Sequence, residues 1–179
     1  MSLPNIVLSG TIGAGKSTAA VYLSEKYDYV HLSYVEKIWK PILAKRKVNP
    51  SRENLQDLGE ELMQKHGLEG LARLILPYLP KDRPFVIDDI RSPVVLSELR
   101  ECIRKDLILV FIDTSAASRT PRLQIRDNLT SADELRSIES RITEKSIPDL
   151  EACADIVVVN NGSKTDFYKQ IDQFVYDFS

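Results

Sequence analysis

The run Gly10-Thr11-Ile12-Gly13-Ala14-Gly15-Lys16-Ser17-Thr18 fits the spacing G-x-x-x-x-G-K-[ST] at every required position. Glycines allow a loop tight enough to aim successive backbone N–H groups at one point, and phosphate oxygens suit that point. Lys16 would reach the outer phosphates of a nucleoside triphosphate, and the Ser17 hydroxyl would be a ligand for Mg²⁺. The run follows an aliphatic segment, Asn5 to Ser9, and opens a helix-prone one, Lys16 to Tyr27. A strand feeding such a loop into a helix adds the positive end of the helix dipole. A glycine-rich turn with a chance lysine is the bland alternative, and spacing and context together set it aside.

Two further groups carry charge where chemistry would need it. Asp88 closes an aliphatic run, Pro84-Phe85-Val86-Ile87-Asp88, and Arg91 follows it. A carboxylate leaving a buried strand beside a phosphate loop is where a metal-bound triphosphate needs one; the plainer reading is a surface ion pair in a turn. Arg119, Arg122 and Arg126, spaced three and four apart, share one helical face. Three crowded cations repel unless an anion sits among them, and a triphosphate supplies one. The alternative is a solvated face balanced by Asp127, Asp133 and Glu134; Arg141, in the next helix, is a weaker member of the group. Trp39 reads as a core residue before it reads as a stacking platform, and His66 as a helix-end residue.

The elements that must position these residues are five short aliphatic runs separated by helical stretches. The runs are Asn5–Ser9, Tyr29–Ser33, Pro84–Asp88, Leu107–Ile112 and Ile156–Val159. Their continuous apolar character predicts a parallel sheet covered on both faces, a three-layer α/β/α sandwich. Helices are expected near Lys16–Tyr27, in pieces over 34–79, and near Val94–Lys105, Ser115–Arg126 and Ser131–Lys145. The last, from about Lys164, places Phe167, Ile171, Phe174 and Phe178 on one buried stripe. Asn128-Leu129-Thr130 and Asn161-Gly162-Ser163 match the glycosylation sequon and are taken as chance.

The chain has 179 residues, 43% hydrophobic and 28% charged, which fits one globular domain. With 24 Lys and Arg against 26 Asp and Glu, nothing attracts nucleic acid or anionic membrane globally. No run approaches ~18 apolar residues, and the apolar start lacks the basic flank of a secretory signal. Cys102 and Cys153 form no CxxC or Cys/His cluster, so neither a disulfide framework nor a zinc site is expected. A reducing, cytoplasmic setting fits these features.

The loop Gly10 to Thr18, the segment Val86-Ile87-Asp88-Asp89-Ile90-Arg91 and the stretch Arg119 to Ser163 together resemble the P-loop nucleoside monophosphate kinases. Within that group the likeness is nearest to archaeal-type adenylate-kinase-related proteins and to dephospho-CoA kinase, and it covers nearly the whole chain. The resemblance implies one kinase domain over 1–179, with an acceptor region near 34–80 and a small lid near 115–146. It implies ATP and Mg²⁺ as cofactors and a small nucleotide-like acceptor, with neither nucleic acid nor membrane as partner. Gly10 to Thr18, Arg119, Asn160 and Gly162 would then lie on the ATP side, although Asn-Gly is also simply a good turn. Ser17 and Asp88 would hold the metal, with orientation of the attacking acceptor as the alternative catalytic role of Asp88, and Lys16, Arg122 and Arg126 would neutralise the moving phosphoryl group.

On the acceptor side the resemblance implies Arg91, Arg52, Lys37 and Tyr34. Tyr34 and Lys37 stand where family members carry Asp and Arg, and Asp89 stands where they carry glycine. Taken alone, Ser51-Arg52-Glu53-Asn54 is an N-capped helix start. A GTPase would show an Asn-Lys-x-Asp motif, which is missing, and a mechanical ATPase needs a longer chain. Transfer to a nucleoside monophosphate leads; dephospho-CoA or another small metabolite, and a nucleotide-binding regulatory module or weak ATPase, are the alternatives.

Overall fold

A computed structural model of the chain describes residues 3–103, 106–127 and 146–178. Strands β1 (Asn5–Ser9), β2 (Val30–Ser33), β3 (Phe85–Asp88), β4 (Leu107–Asp113) and β5 (Ile156–Val159) form one sheet in the order β2-β3-β1-β4-β5. Every pairing is parallel, with Val7 opposite Ile87 and Leu109, and Ser33 opposite Asp88. β1 is buried along its whole length, as a central parallel strand must be. All strands therefore point the same way, and their carboxyl ends collect Ser9, Ser33, Asp88 and Asp113 at one rim.

Helix α1 (Lys16–Tyr27) starts directly after Gly15 and ends at Asp28, whose φ of 61° is left-handed. Beyond β2 a π-helical turn, Val35–Trp39, runs into α2 (Lys40–Lys45). Helix α3 (Arg52–Arg73) is capped by Ser51, whose hydroxyl accepts from Asn54 N, and is broken at Gly67 (φ 70°, ψ 175°). Then come α4 (Pro93–Ile103), α5 (Ala116–Asp127), α6 (Ile147–Ala152) and α7 (Lys164–Asp177).

The period-2 alternation of the strands splits the core into two clusters. Val7, Leu32, Ile87, Leu109 and Phe111 pack with residues of α2, α3, α4 and α6. Ile6, Leu8, Val86, Val110, Ile112 and Val158 pack with α1 and α7. The expected stripe of α7 holds for Phe167, Ile171 and Phe174, but Phe178 is 45% exposed. The helix ends at Asp177, so Phe178 leaves the 3.6-residue period and Val175 is buried instead. In α4, Val95, Leu96 and Leu99 are buried and Ile103 packs on them partly exposed. The expected helix over 131–145 with Asp133, Glu134 and Arg141, the sequon at Asn128, and the side chains of Arg126 and Asp127 lie outside the described residues. No described helix is long and apolar enough to cross a membrane.

Candidate active site

The phosphate loop is held from behind by its own carbonyls. Lys16 Nζ donates to Gly10 O (2.6 Å) and Thr11 O (3.0 Å). Arg119, 8% exposed, donates from Nη1 to Ile12 O at 3.3 Å. Ala14 O accepts from Asn160 Nδ2 (2.7 Å) and Thr114 Oγ1 (3.2 Å). These contacts engage the carbonyls of Gly10, Thr11, Ile12 and Ala14, which would otherwise repel an incoming anion. Two glycines are demanded by contact as well as conformation. A Cβ on Gly10 (φ 141°) would meet Ile112 O at 2.4 Å, and one on Gly15 (φ 109°) would meet Asn160 Nδ2 at 2.5 Å.

Asp88 is brought to this loop through the backbone. Ile90 N donates to Leu8 O (3.2 Å) and Ser9 Oγ donates to Ile90 O (2.7 Å), which ties the exit of β3 to the end of β1. Ser17 Oγ then donates to Asp88 Oδ2 at 3.2 Å, and His31 Nε2 lies 3.0 Å from the same oxygen. Asp88 is 4% exposed, and its Oδ1 is buried with no hydrogen-bond partner among the described residues. A hydroxyl beside a carboxylate with an unspent oxygen is a hard-oxygen donor pair of the kind Mg²⁺ takes. The residues fit the ion.

Asp89 links this centre to what lies beside it. Its φ of 66° is left-handed. Its carboxylate sits 3.3 Å from Lys16 Nζ and accepts a two-pronged contact from Arg91, Nε to Oδ1 (3.1 Å) and Nη2 to Oδ2 (3.0 Å). Burial lowers the Lys16 pKa to about 8 against the upward pull of Asp89. Burial pushes the Asp89 carboxyl upward, but Arg91 and Lys16 together overcome it and hold the group well below the usual carboxylate range.

A cavity of about 530 Å³ opens from Asp89 and Arg91. Val35, Trp39, Leu55, Met63, Leu68, Leu71 and Val95 give it an apolar lining, with Arg52, Gln56 and Ser92 as polar points. Tyr34 and Arg52 line this wall; Lys37 is exposed and does not. The π turn explains the separation. Its i→i+5 bonding puts more residues into each turn, so residues three apart no longer share a face, and Tyr34 is buried while Lys37 is exposed. The Tyr34 hydroxyl donates to Ala72 O at 3.0 Å, and its ring lies 5.4 Å from that of Trp39. Trp39, 9% exposed, is both core and cavity wall.

On the opposite side Arg122 Nη2 donates to Asn160 O at 3.0 Å. Arg119 and Arg122 of α5 thus both touch the phosphate loop or its brace, while the Arg126 side chain is outside the described residues. Asn160 is 7% exposed with its amide on the loop backbone, and Gly162 lies in the exposed turn before α7. Thr18 is exposed on α1. The sequence alone does not single out His31, Thr114 or the apolar cavity residues other than Trp39. Strand register and helix packing, which no local pattern encodes, place them here. For Asp89 a signal did exist, a carboxylate at a position where relatives of this kind carry glycine.

Residues 6–144 match a protein family described as an AAA domain. A UPF0200 protein of Methanocaldococcus jannaschii is 30% identical, over 96% of this chain and 89% of that one. A UPF0200/UPF0201 protein of Archaeoglobus fulgidus is 26% identical over 90% of this chain, which spans about half (52%) of that longer relative. A dephospho-CoA kinase of Fusobacterium nucleatum is 24% identical, over 97% of this chain and 98% of the other. Among solved structures, shikimate kinase from Bacteroides thetaiotaomicron superposes with a TM-score of 0.62 at 17% identity, over 97% of each chain.

Proposed function

The chain belongs to the AAA-domain family of P-loop proteins and to the UPF0200 family, within the P-loop kinase superfamily, and on that premise we propose that it moves the γ-phosphoryl group of ATP to a nucleoside monophosphate or other nucleotide-like acceptor. One observation carries the reading. Ser17 and Asp88 stand 3.2 Å apart beside Lys16, and an apolar cavity with arginines in its wall begins at that same point. Donor and acceptor sites are contiguous, as direct transfer requires.

In this reading Gly10 to Thr18 cradle the triphosphate, with Arg119, Asn160 and Gly162 bounding the donor side. Lys16, Arg122 and Arg126 neutralise charge on the transferring group, where phosphoryl-transfer catalysis is mostly positioning and electrostatics. Ser17 and Asp88 hold Mg²⁺, which when bound supplies charge neutralisation on the phosphates. Arg91 and Arg52 meet the anionic part of the acceptor, and Trp39, Leu55 and Met63 take its flat apolar part. Tyr34 shapes the cavity by fixing the π turn to the end of α3 at Ala72. Lys37, exposed beside the turn, contributes charge from outside the cavity.

The apolar lining argues against polyol acceptors such as sugars, whose hydroxyls would be left without partners. Dephospho-CoA as acceptor is the second reading, favoured by the Fusobacterium relative that aligns along its whole length. Coupled ADP release across nucleoside monophosphates, deoxynucleotides and dephospho-CoA tests both. Acceptor-stimulated turnover is expected. ADP release that no acceptor accelerates returns the chain to a nucleotide-binding module or weak ATPase.

A further inference from the structure

Asp89 is the group at the meeting point of the two sites. It lies 3.3 Å from Lys16 Nζ, the side chain of the phosphate loop, and it also lines the acceptor cavity. Its backbone is left-handed at φ 66°, a conformation glycine adopts without strain and a side chain keeps at a cost. Its partner Arg91 spends both Nε and Nη2 on it. The Asp89 carboxylate therefore offsets the Arg91 charge locally, and a phosphate oxygen brought against that carboxylate would meet repulsion. A neutral hydroxyl meets the opposite situation: it finds a fixed acceptor for its own proton and no repulsion.

We propose that Asp89 selects the attacking atom, so that the acceptor is phosphorylated on a hydroxyl oxygen and not on a phosphate oxygen. This rests on the phosphotransferase reading above and narrows it. The hydroxyl oxygen, hydrogen-bonded to the Asp89 carboxylate, forms a bond to the γ-phosphorus of ATP. The bond from that phosphorus to the β–γ bridging oxygen breaks, and ADP leaves with the electron pair. The hydroxyl proton passes along the hydrogen bond and out to water. Arg91 holds the carboxylate in place, and the product is a phosphomonoester plus ADP.

The wild-type chain is incubated with ATP, Mg²⁺ and two acceptor sets: nucleosides and dephospho-CoA, and nucleoside monophosphates. Phosphorus NMR of the products separates a phosphomonoester from a phosphoanhydride. A phosphomonoester is expected from whichever acceptor turns over, and Asp89→Asn and Asp89→Gly should lower kcat by ~10²-fold while changing ATP affinity by less than ~3-fold. The glycine variant suits the left-handed backbone, and its retained ATP affinity shows that the site is folded. A phosphoanhydride product overturns the assignment of a hydroxyl while leaving the kinase reading intact. A phosphomonoester made at wild-type rate by both variants removes Asp89 from the selection. No phosphorylated acceptor from either set, with ADP formed by hydrolysis alone, overturns the kinase reading and this one together.

Discussion

The phosphate loop and the acceptor cavity are neighbours built in opposite ways. The loop is one uninterrupted run, Gly10 to Thr18, and its shape is fixed by backbone carbonyls held by Lys16, Arg119, Asn160 and Thr114. The cavity draws its walls from four separate segments, Tyr34–Trp39, α3, Asp89–Val95 and Ser146. Backbone geometry tolerates few residue types, whereas an apolar wall tolerates many of similar volume. The donor side therefore states its chemistry locally, and the acceptor side states it only after folding.

The sharpest test of that division is Lys16→Ala. Removing the cation that meets the outer phosphates should lower kcat/KM by ~10²-fold or more, about 2.7 kcal/mol, with the fold retained. Wild-type turnover in this variant would leave no catalytic donor side to contrast with the cavity.

Arg91→Ala should act on the other side, raising the acceptor KM by ~10-fold, about 1.4 kcal/mol, through loss of the guanidinium in the cavity wall. Titrating ATP affinity in the same variant sharpens the comparison. A change beyond ~3-fold would mean that the Arg91–Asp89–Lys16 chain couples the two sites more tightly than two separate halves allow.

Proton linkage gives a smaller effect confined to the donor side. Burial holds the Lys16 pKa at about 8, so its charge is in place below that pH and is progressively lost above it. Phosphate favours the charged form. ATP affinity should therefore be flat below pH 8 and fall by up to ~10-fold per unit above it, as calorimetry at a series of pH values would read. Lys16→Ala should abolish the slope. A wild-type affinity that is level from pH 7 to 9.5 contradicts the burial of this ammonium. Trp39→Phe should have the least effect, a ~2- to 3-fold rise in acceptor KM from lost ring area with ATP binding untouched.

Legibility in the sequence follows the same line. β1, α1 and β5 run where their residues predict, because each is a short segment whose type is set by its own pattern. Ser17 and Asp88 were both marked as candidates, yet their contact depends on β3 lying beside β1, a pairing between strands that are not consecutive in the chain. His31 joins them only through the register of β2 on β3, which places it opposite Val86. Lys37 shows the converse. The resemblance implies an acceptor role for it together with Tyr34, and a π turn, which residue propensities do not announce, separates the two. Phe178 fits the helical spacing in sequence, but the helix ends one residue before it.

The sheet separates two cores, and the acceptor cavity hangs from one of them. Trp39, Leu58, Leu62 and Val95 belong to the cluster packed by α2, α3 and α4, while α1, which carries the phosphate loop into the protein, packs in the other with α7. Mutations that accumulate in the cavity walls are felt by one layer alone. On the proposed reading, substitutions in the walls would change which molecule is accepted while leaving the packing of the phosphate loop and α1 in place.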